Sequence, residues 1–257
     1  MTKIISVFNQ KGGVGKTTTN INLSTYIAQL GKRVLVVDAD PQGNTTSGFG
    51  IDKESLEFSL YDGMVNGSDL NEVCIKTRFK NLDLVPSKPE LAGAEIEMTA
   101  MKNRELLMSV FLNNADGIYD YVMIDCPPSL GLISLNALAA SNSVLVPIQC
   151  EYYALEGVSQ LMNTINLVKR GLNNKLSIEG IIMTMFDGRT NLSLQVVDEV
   201  SSYFGEKVYK TVIPRNVRLA EAPSHGLAIL EYDEKSKGAQ AYFEFAKEFI
   251  KRKGDRI

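Results

Sequence analysis

The sequence is poor in the residues that build metal cages and disulfide frameworks. It has one histidine, His225, and three cysteines, Cys74, Cys126 and Cys150, an odd number without C-x-x-C spacing. That pattern argues against a disulfide scaffold or a zinc knuckle and makes reduced thiols the expectation. An excess of positive charge is missing too: 27 Lys and Arg stand against 30 Asp and Glu, for a net charge of -3. No global basic field therefore advertises a nucleic-acid partner, and any DNA contact has to come from a local patch. No apolar run reaches the roughly 18 residues of a membrane span. The N-terminus enters a strand directly, without the basic and apolar regions of a signal peptide, so a soluble cytoplasmic protein is expected. Neither a repeat, a low-complexity tract nor a linker interrupts the chain. With 257 residues, 44% of them hydrophobic, one sizeable core is within reach, and a single domain over residues 1–257 is the simplest organisation.

What is present is concentrated near the start. Lys3 to Asn9 is a short β-type run, Thr18 to Leu30 has helical spacing ending at Gly31, and Gln10-Lys11-Gly12-Gly13-Val14-Gly15-Lys16-Thr17-Thr18 lies between them. Strand, glycine loop and helix form the context of a P-loop. Glycines without Cβ let successive backbone N–H groups turn inward on phosphate oxygens, and the helix start adds its positive dipole end. Lys16 then reaches the β- and γ-phosphates, and the Thr17 hydroxyl is placed to ligate Mg²⁺. The usual first glycine is replaced by Gln10, and a lysine follows it.

Further along, Lys32 to Asp38 is an apolar run closed by a carboxylate, as in a parallel strand covered on both faces. Asp38 and Asp40 end it, Asp38 being a candidate metal residue beside Thr17, ahead of the polar loop Pro41 to Thr46, whose groups can order water or a metal ion. A turn with capping carboxylates is the plainer alternative. Short helices are expected near Leu60 to Asp62 and Leu70 to Glu72, broken by Gly63 and Gly67. A strand over Asn81 to Pro86 follows, then a helix over Arg104 to Asn114 with Leu106, Leu107, Val110 and Phe111 on its inner stripe. Tyr121 to Asp125 reads as a second metal-side strand, stopped by Pro127 and Pro128; its aspartate either joins the Mg²⁺ shell or caps a helix beginning at Ser129. Strands over Ser143 to Pro147, Ile178 to Met185 and Lys207 to Ile213 alternate with helices over Leu155 to Leu172, up to Gly205, and over Lys237 to Lys253. This alternation predicts an α/β fold, a doubly wound, mostly parallel sheet with helices on both faces.

The loop KGGVGKTT at 11–18 resembles the deviant Walker A loop of the ParA/MinD group of ATPases, marked by its extra lysine. DADPQGN at 38–44, DCPPSLG at 125–131, CEYYALEG at 150–157, DGRTNLS at 187–193 and PRNVRLAEAPSHG at 214–226 extend the likeness over almost the whole chain. Together they resemble the ParA family, and its chromosomal Soj branch in particular. The resemblance implies an ATP- and Mg²⁺-dependent ATPase that forms a homodimer with nucleotides between its subunits. Lys11 would cross to the partner's phosphates, and Gly12 would allow close approach of the two backbones. Asp40 would orient the attacking water, Asp125 would complete the metal shell, and Pro214 and Asn216 would border the adenine. Arg189 and Arg218 match positions attributed to non-specific DNA binding, although either can equally be a solvated helix-end charge. A ParB-type centromere-binding partner with a basic segment, a location on the nucleoid and crosstalk with the replication initiator are also implied.

Three other functions use the same loop. A MinD-like membrane-cycling ATPase would need the amphipathic stretch Tyr242 to Lys251 for lipid, whereas Tyr242, Ala246 and Phe249 follow a core-facing stripe, so no stable membrane anchor is expected. An iron–sulfur carrier would need two cysteines per subunit at a dimer axis, and only Cys126 lies beside Asp125. A biosynthetic ligase or kinase would need an acceptor site, and His225, in a Pro-Ser-His-Gly turn, suits a structural hydrogen bond better than catalysis.

Overall fold

The computed structural model describes residues 2–151 and 154–254, without side chains for 154–156. Tyr152 and Tyr153 of the CEYYALEG motif therefore lie outside the described residues. The first three elements are β1 (Lys3–Val7), α1 (Lys16–Gln29) and β2 (Val34–Asp38). There follow α2 (Asn44–Gly48), α3 (Leu70–Val73), β3 (Ile75–Lys76), β4 (Leu82–Val85), α4 (Leu91–Met98) and α5 (Leu107–Leu112). The second half contributes β5 (Tyr121–Asp125), α6 (Leu132–Ala140), β6 (Ser143–Gln149), α7 (Ala154–Gly171), β7 (Ser177–Phe186) and α8 (Asn191–Phe204). It closes with β8 (Val208–Pro214), α9 (Val217–Glu221), α10 (Ile229–Tyr232) and α11 (Lys237–Arg252).

Among the described residues, eight strands form one sheet in the order β3-β4-β2-β5-β1-β6-β7-β8. Every pairing is parallel except that of β3 with β4. Strand residues alternate between faces, so Val34 and Val36 pack on one side with Tyr121 and Met123, and Leu35 and Val37 pack on the other with Val122 and Ile124. Each face has its own core, one under α1 and α11 and the other under α4 to α8. The expected doubly wound sheet is present.

Register decides where chemistry can collect. β5 lies between β2 and β1, with Asp38 and Val7 both paired to Asp125. Three loops therefore leave one sheet edge side by side, at the carboxyl ends where open α/β sheets gather their ligands.

Several local expectations change. The inner stripe of α5 is Met108, Phe111 and Leu112, while Val110 is 67% and Leu106 39% exposed. The helix begins later than expected, so its buried face is rotated. Gly63 does not break its helix. It lies inside a single π-helical turn, Asp62–Asn66, where a Cβ would come within 2.4 Å of the Phe111 ring. Gly67, at φ 75, is the residue that ends it. The stretch Ser87 to Met101, ambiguous in sequence, holds α4, and β8 runs one residue further to include Pro214. α6 starts at Leu132 with Gly131 as its cap, so Asp125 is not capping a helix from Ser129.

Candidate phosphate- and metal-binding site

The loop between β1 and α1 has its shape because of two glycines. Gly13 and Gly15 have φ of 73 and 86, a region that costs an L-residue strain and glycine nothing. Buried side-chain bonds fix the rest. Asn9 Oδ1 accepts the Lys11 N–H at 3.0 Å while Asn9 Nδ2 donates to the Pro147 carbonyl at 2.8 Å, and Thr184 Oγ1 donates to the Val14 carbonyl at 2.9 Å. The loop is thus tied to β6 and β7 as well as to its own strand.

Lys16 is 7% exposed, and its Nζ donates to the Lys11 carbonyl at 3.1 Å. Burial pushes its ammonium below the ordinary range, against the pull of Asp125 and Asp40. Thr17 Oγ1 donates to Asp125 Oδ2 at 2.7 Å, joining the P-loop to the end of β5. Asp125 and Asp38 are both fully buried. Burial raises each carboxyl, and for Asp38 the Asp125 charge adds to the effect, while bonds from Thr17 and Thr45 oppose it at Asp125. Two adjacent buried carboxylates prefer not to be charged together.

The two carboxylates differ in what they leave open. Asp38 Oδ2 accepts the N–H and the hydroxyl of Thr46, each at 2.7 Å, and its Oδ1 accepts Asp40 N at 3.3 Å. Its oxygens support α2 and the Asp40 loop. Asp125 Oδ1 is buried with no partner, which is the atom a cation would satisfy. Among the described residues no three His, Cys, Asp or Glu side chains form a metal cage. That fits Mg²⁺, which takes one or two protein oxygens and completes its shell with phosphate and water. Asp40, 9% exposed, reaches the same space, its Oδ1 held by Gln42 N at 2.9 Å.

Two recesses meet here. One, of about 410 Å³, is lined by Gly12, Gly13, Lys16, Thr17, Asp40 and Gln42. The other, of about 320 Å³ and mostly apolar, is lined by Ile213, Pro214, Asn216, Leu219 and Tyr242. Gly15, Thr18 and Met185 border both. A polar cradle joined to an apolar slot has the shape of a phosphate chain followed by a base. Asn216 also caps α9, its Oδ1 accepting Arg218 N at 2.9 Å. A larger cavity of about 970 Å³, lined by Glu179, Lys207 and Tyr209 at the amino ends of β7 and β8, is on the opposite edge of the sheet.

The remaining sequence candidates sit apart. Lys11 Nζ is 3.7 Å from Glu151 Oε2, and Arg215 is 3.7 Å from the other Glu151 oxygen. Arg189 projects from the loop before α8 with its side chain 88% exposed, and forks onto Asp187 at 2.8 and 2.6 Å. Arg218 on α9 pairs with Glu221 at 2.9 Å and Asp233 at 3.5 Å. Two of the basic residues at the end of α11 are tied down: Arg252 donates to the carbonyls of Glu206, Lys207 and Val208, and Lys253 pairs with Glu179, whose side chain is buried. The His225 ring stacks on Tyr232 at 5.1 Å. Thr45 and Thr46 fall in the polar loop singled out in the sequence and Glu151 in the CEYYALEG motif, but their partners, Asp125, Asp38 and Lys11, are visible only in the structure.

A family model described as an AAA domain matches residues 2–178. The chain is 56% identical to the sporulation initiation inhibitor protein Soj of Bacillus subtilis over 96% of this chain and 98% of the other. It is 51% identical to the chromosome partitioning protein ParA of Myxococcus xanthus, over 97% of this chain and 88% of that protein. Among solved structures, a cobyrinic acid a,c-diamide synthase from Mycobacterium smegmatis with bound ADP and magnesium superposes with a TM-score of 0.86 at 36% identity, over 99% of this chain and 96% of that one. Near-full-length identity at this level, on a sheet whose loop and carboxylates converge as described, places the chain in the ParA/Soj family of chromosome-partitioning ATPases.

Proposed function

We propose that the protein is an ATP-driven switch for chromosome or plasmid partitioning, in which ATP joins two subunits and hydrolysis separates them. The convergence of Lys16, Thr17 and the partnerless Asp125 oxygen supports this reading most directly. The P-loop N–H groups and Lys16 hold the phosphates, with Gly12, Gly13, Val14, Gly15 and Thr18 shaping the cradle. Thr17 and Asp125 hold the metal, and Asp38, the third metal candidate, acts one step removed, because Thr46 and Asp40 already occupy its two oxygens. When bound, Mg²⁺ would neutralise charge on the β- and γ-phosphates. Pro214 and Asn216 border the base. Asp40 accepts a hydrogen bond from the attacking water and so directs it at the γ-phosphate.

Lys11 acts across the dimer. A lysine delivered from a second subunit stabilises charge that grows in the transition state, as an arginine finger does. Its loose contact with Glu151, both side chains being over a third exposed, is weak enough to exchange. Gly12 supports the same arrangement: a Cβ there would meet nothing within 4 Å, so nothing inside one subunit requires glycine.

Arg189 and Arg218 contact DNA phosphates without reading sequence. A ParB-type partner accelerates hydrolysis, the loaded dimer resides on the nucleoid, and contact with the replication initiator belongs to the same cycle. Lipid anchoring by α11 has little support, because Tyr242, Phe245, Ala246, Phe249 and Ile250 are buried against the sheet. Among the described residues no helix is long and apolar enough to cross a membrane. Iron–sulfur chemistry would need an accessible thiol, whereas Cys126 is buried and burial pushes it up to about 12. Amide ligation is the second reading, on the likeness to the synthase.

Light scattering of the purified chain with ADP, with ATP, and with ATP plus DNA tests the proposal. A mass that doubles only with ATP, and a DNA complex that forms only then, is the expected result. An unchanged monomer with ATP refutes the switch, and ATP turnover that requires cobyrinic acid would favour ligation.

A further inference from the structure

α2 follows the Asp40 loop directly and is only five residues long, too short to be stable by itself. What holds it is a pair of buried threonines. Thr45 Oγ1 donates to Asp125 Oδ2 at 2.8 Å, onto the same oxygen that Thr17 Oγ1 reaches at 2.7 Å. Thr46 binds Asp38 through both its N–H and its hydroxyl, and its hydroxyl also accepts Ser87 N at 2.9 Å. Both threonines are fully buried. The other side of α2 rests on α1, where a Cβ at Gly48 would come within 2.4 Å of Ile21 Cδ1. The element is therefore suspended from the carboxylates that end β2 and β5.

This arrangement constrains Asp125. A carboxylate held by one donor can still turn about its Cβ–Cγ bond, whereas two donors converging on Oδ2 fix the plane and leave Oδ1 a single direction. Thr17 sits on the P-loop and Thr45 on α2, so the second donor belongs to the element that also carries the end of the Asp40 loop. A shift of α2 would loosen the Asp125 carboxylate and displace Asp40 together.

We propose that Thr45 is a positioning residue for the phosphate reaction: its hydroxyl orients the Asp125 carboxylate and locks the Asp40 loop to it, so the metal-holding and water-directing groups keep one mutual geometry. The inference rests on the roles proposed above for Asp125 and Asp40. Thr45 itself touches no reacting atom.

The test compares Thr45→Val, nearly equal in shape but without the hydroxyl, with Thr45→Ser, which restores the donor. Four quantities are measured: the MgCl₂ concentration that half-saturates binding of a fluorescent ATP analogue, the kcat of phosphate release, its KM for ATP, and the temperature of thermal unfolding. For Thr45→Val the half-saturating Mg²⁺ rises, and kcat falls, by about 10- to 100-fold, as for other residues that orient a metal ligand. KM for ATP at saturating Mg²⁺ stays near the parent value, and Thr45→Ser recovers both quantities. A purely structural role would lower the unfolding temperature while leaving the Mg²⁺ requirement in place, and that result overturns the inference. So does a Ser variant as impaired as the Val one. If Thr45→Val does not fold, Thr45→Ala removes the hydroxyl without setting a methyl against the carboxylate. Failure of both to fold also overturns it, because the hydroxyl is then needed for the fold itself. Parent-level turnover in Asp40→Ala and Asp125→Asn would sink the underlying reading; parent-level turnover in Thr45→Val alone sinks only this inference.

Discussion

At the residue scale, the fully buried Asp125 carboxylate lowers the stability of the free protein when it is charged. Burial raises its carboxyl above the ordinary range, so its contribution to stability is full below the unfolded-state value and is lost as pH rises through the folded-state value. At neutral pH the buried charge is a cost. Asp125→Asn keeps an oxygen for Thr17 and Thr45 and removes that charge. Without nucleotide it should unfold at a higher temperature than the parent at pH 7.5, by an amount worth about 1–3 kcal/mol, and the difference should shrink as pH falls toward 4. Melting curves across pH check this, and an Asn variant less stable than the parent at pH 7.5 contradicts it. Asp40→Ala addresses catalysis. It should bind ATP and persist as a dimer while phosphate release falls on the order of a hundredfold or more, and an undiminished rate would remove Asp40 from the reaction. Thr17 and Asp125 were legible because each belongs to a local pattern, a glycine loop and an apolar strand closed by a carboxylate. Thr45 was not, since nothing within reach of it in sequence says which distant carboxylate its hydroxyl will meet.

At the element scale, α11 is the test of whether amphipathic means membrane-seeking. Phe249 is fully buried, its ring 5.6 Å from Tyr121 and 6.4 Å from Tyr209. Truncating it leaves a cavity under the sheet, and Phe249→Ala should cost about 3–5 kcal/mol in denaturant unfolding. A loss below about 1 kcal/mol would mean that the helix is not seated in this way. The stripe of α11 was readable because sixteen residues give several turns over which a 3.6-residue period emerges. α5, six residues long, offers too few turns to define a face, so the sequence pattern points Val110 and Leu106 inward, whereas the helix turns Val110 out and Leu106 lies before its first turn. β3, two residues long, has no period at all, and its pairing with β4 is a matter of tertiary contact.

At the scale of the whole molecule, the face that carries Gly12 and Lys11 decides between a lone enzyme and a paired one. Gly12→Val should leave the unfolding temperature of the monomer close to the parent, because the added atoms meet open space, while ATP-dependent doubling of mass is lost. Dimer formation equal to the parent would show that no second backbone approaches there. Arg189→Glu and Arg218→Glu should weaken DNA binding and lower its salt slope by about one each, with nucleotide-driven association intact; equal gel shifts would release both residues from that role. The acidic partners of these arginines, Asp187 for one and Glu221 for the other, were invisible as such in the sequence, where proximity of opposite charges does not reveal which pairs close.

The position of β5 has an outcome for how the chain matures. The strand ending in Asp125 is inserted between β1 and β2, both of which leave the ribosome long before it. Until that wedge arrives, the glycine loop has neither its carboxylate neighbour nor a finished strand beside it. Nucleotide affinity should therefore be absent until the chain has been made past Asp125, as a sign that the middle of the sheet has closed.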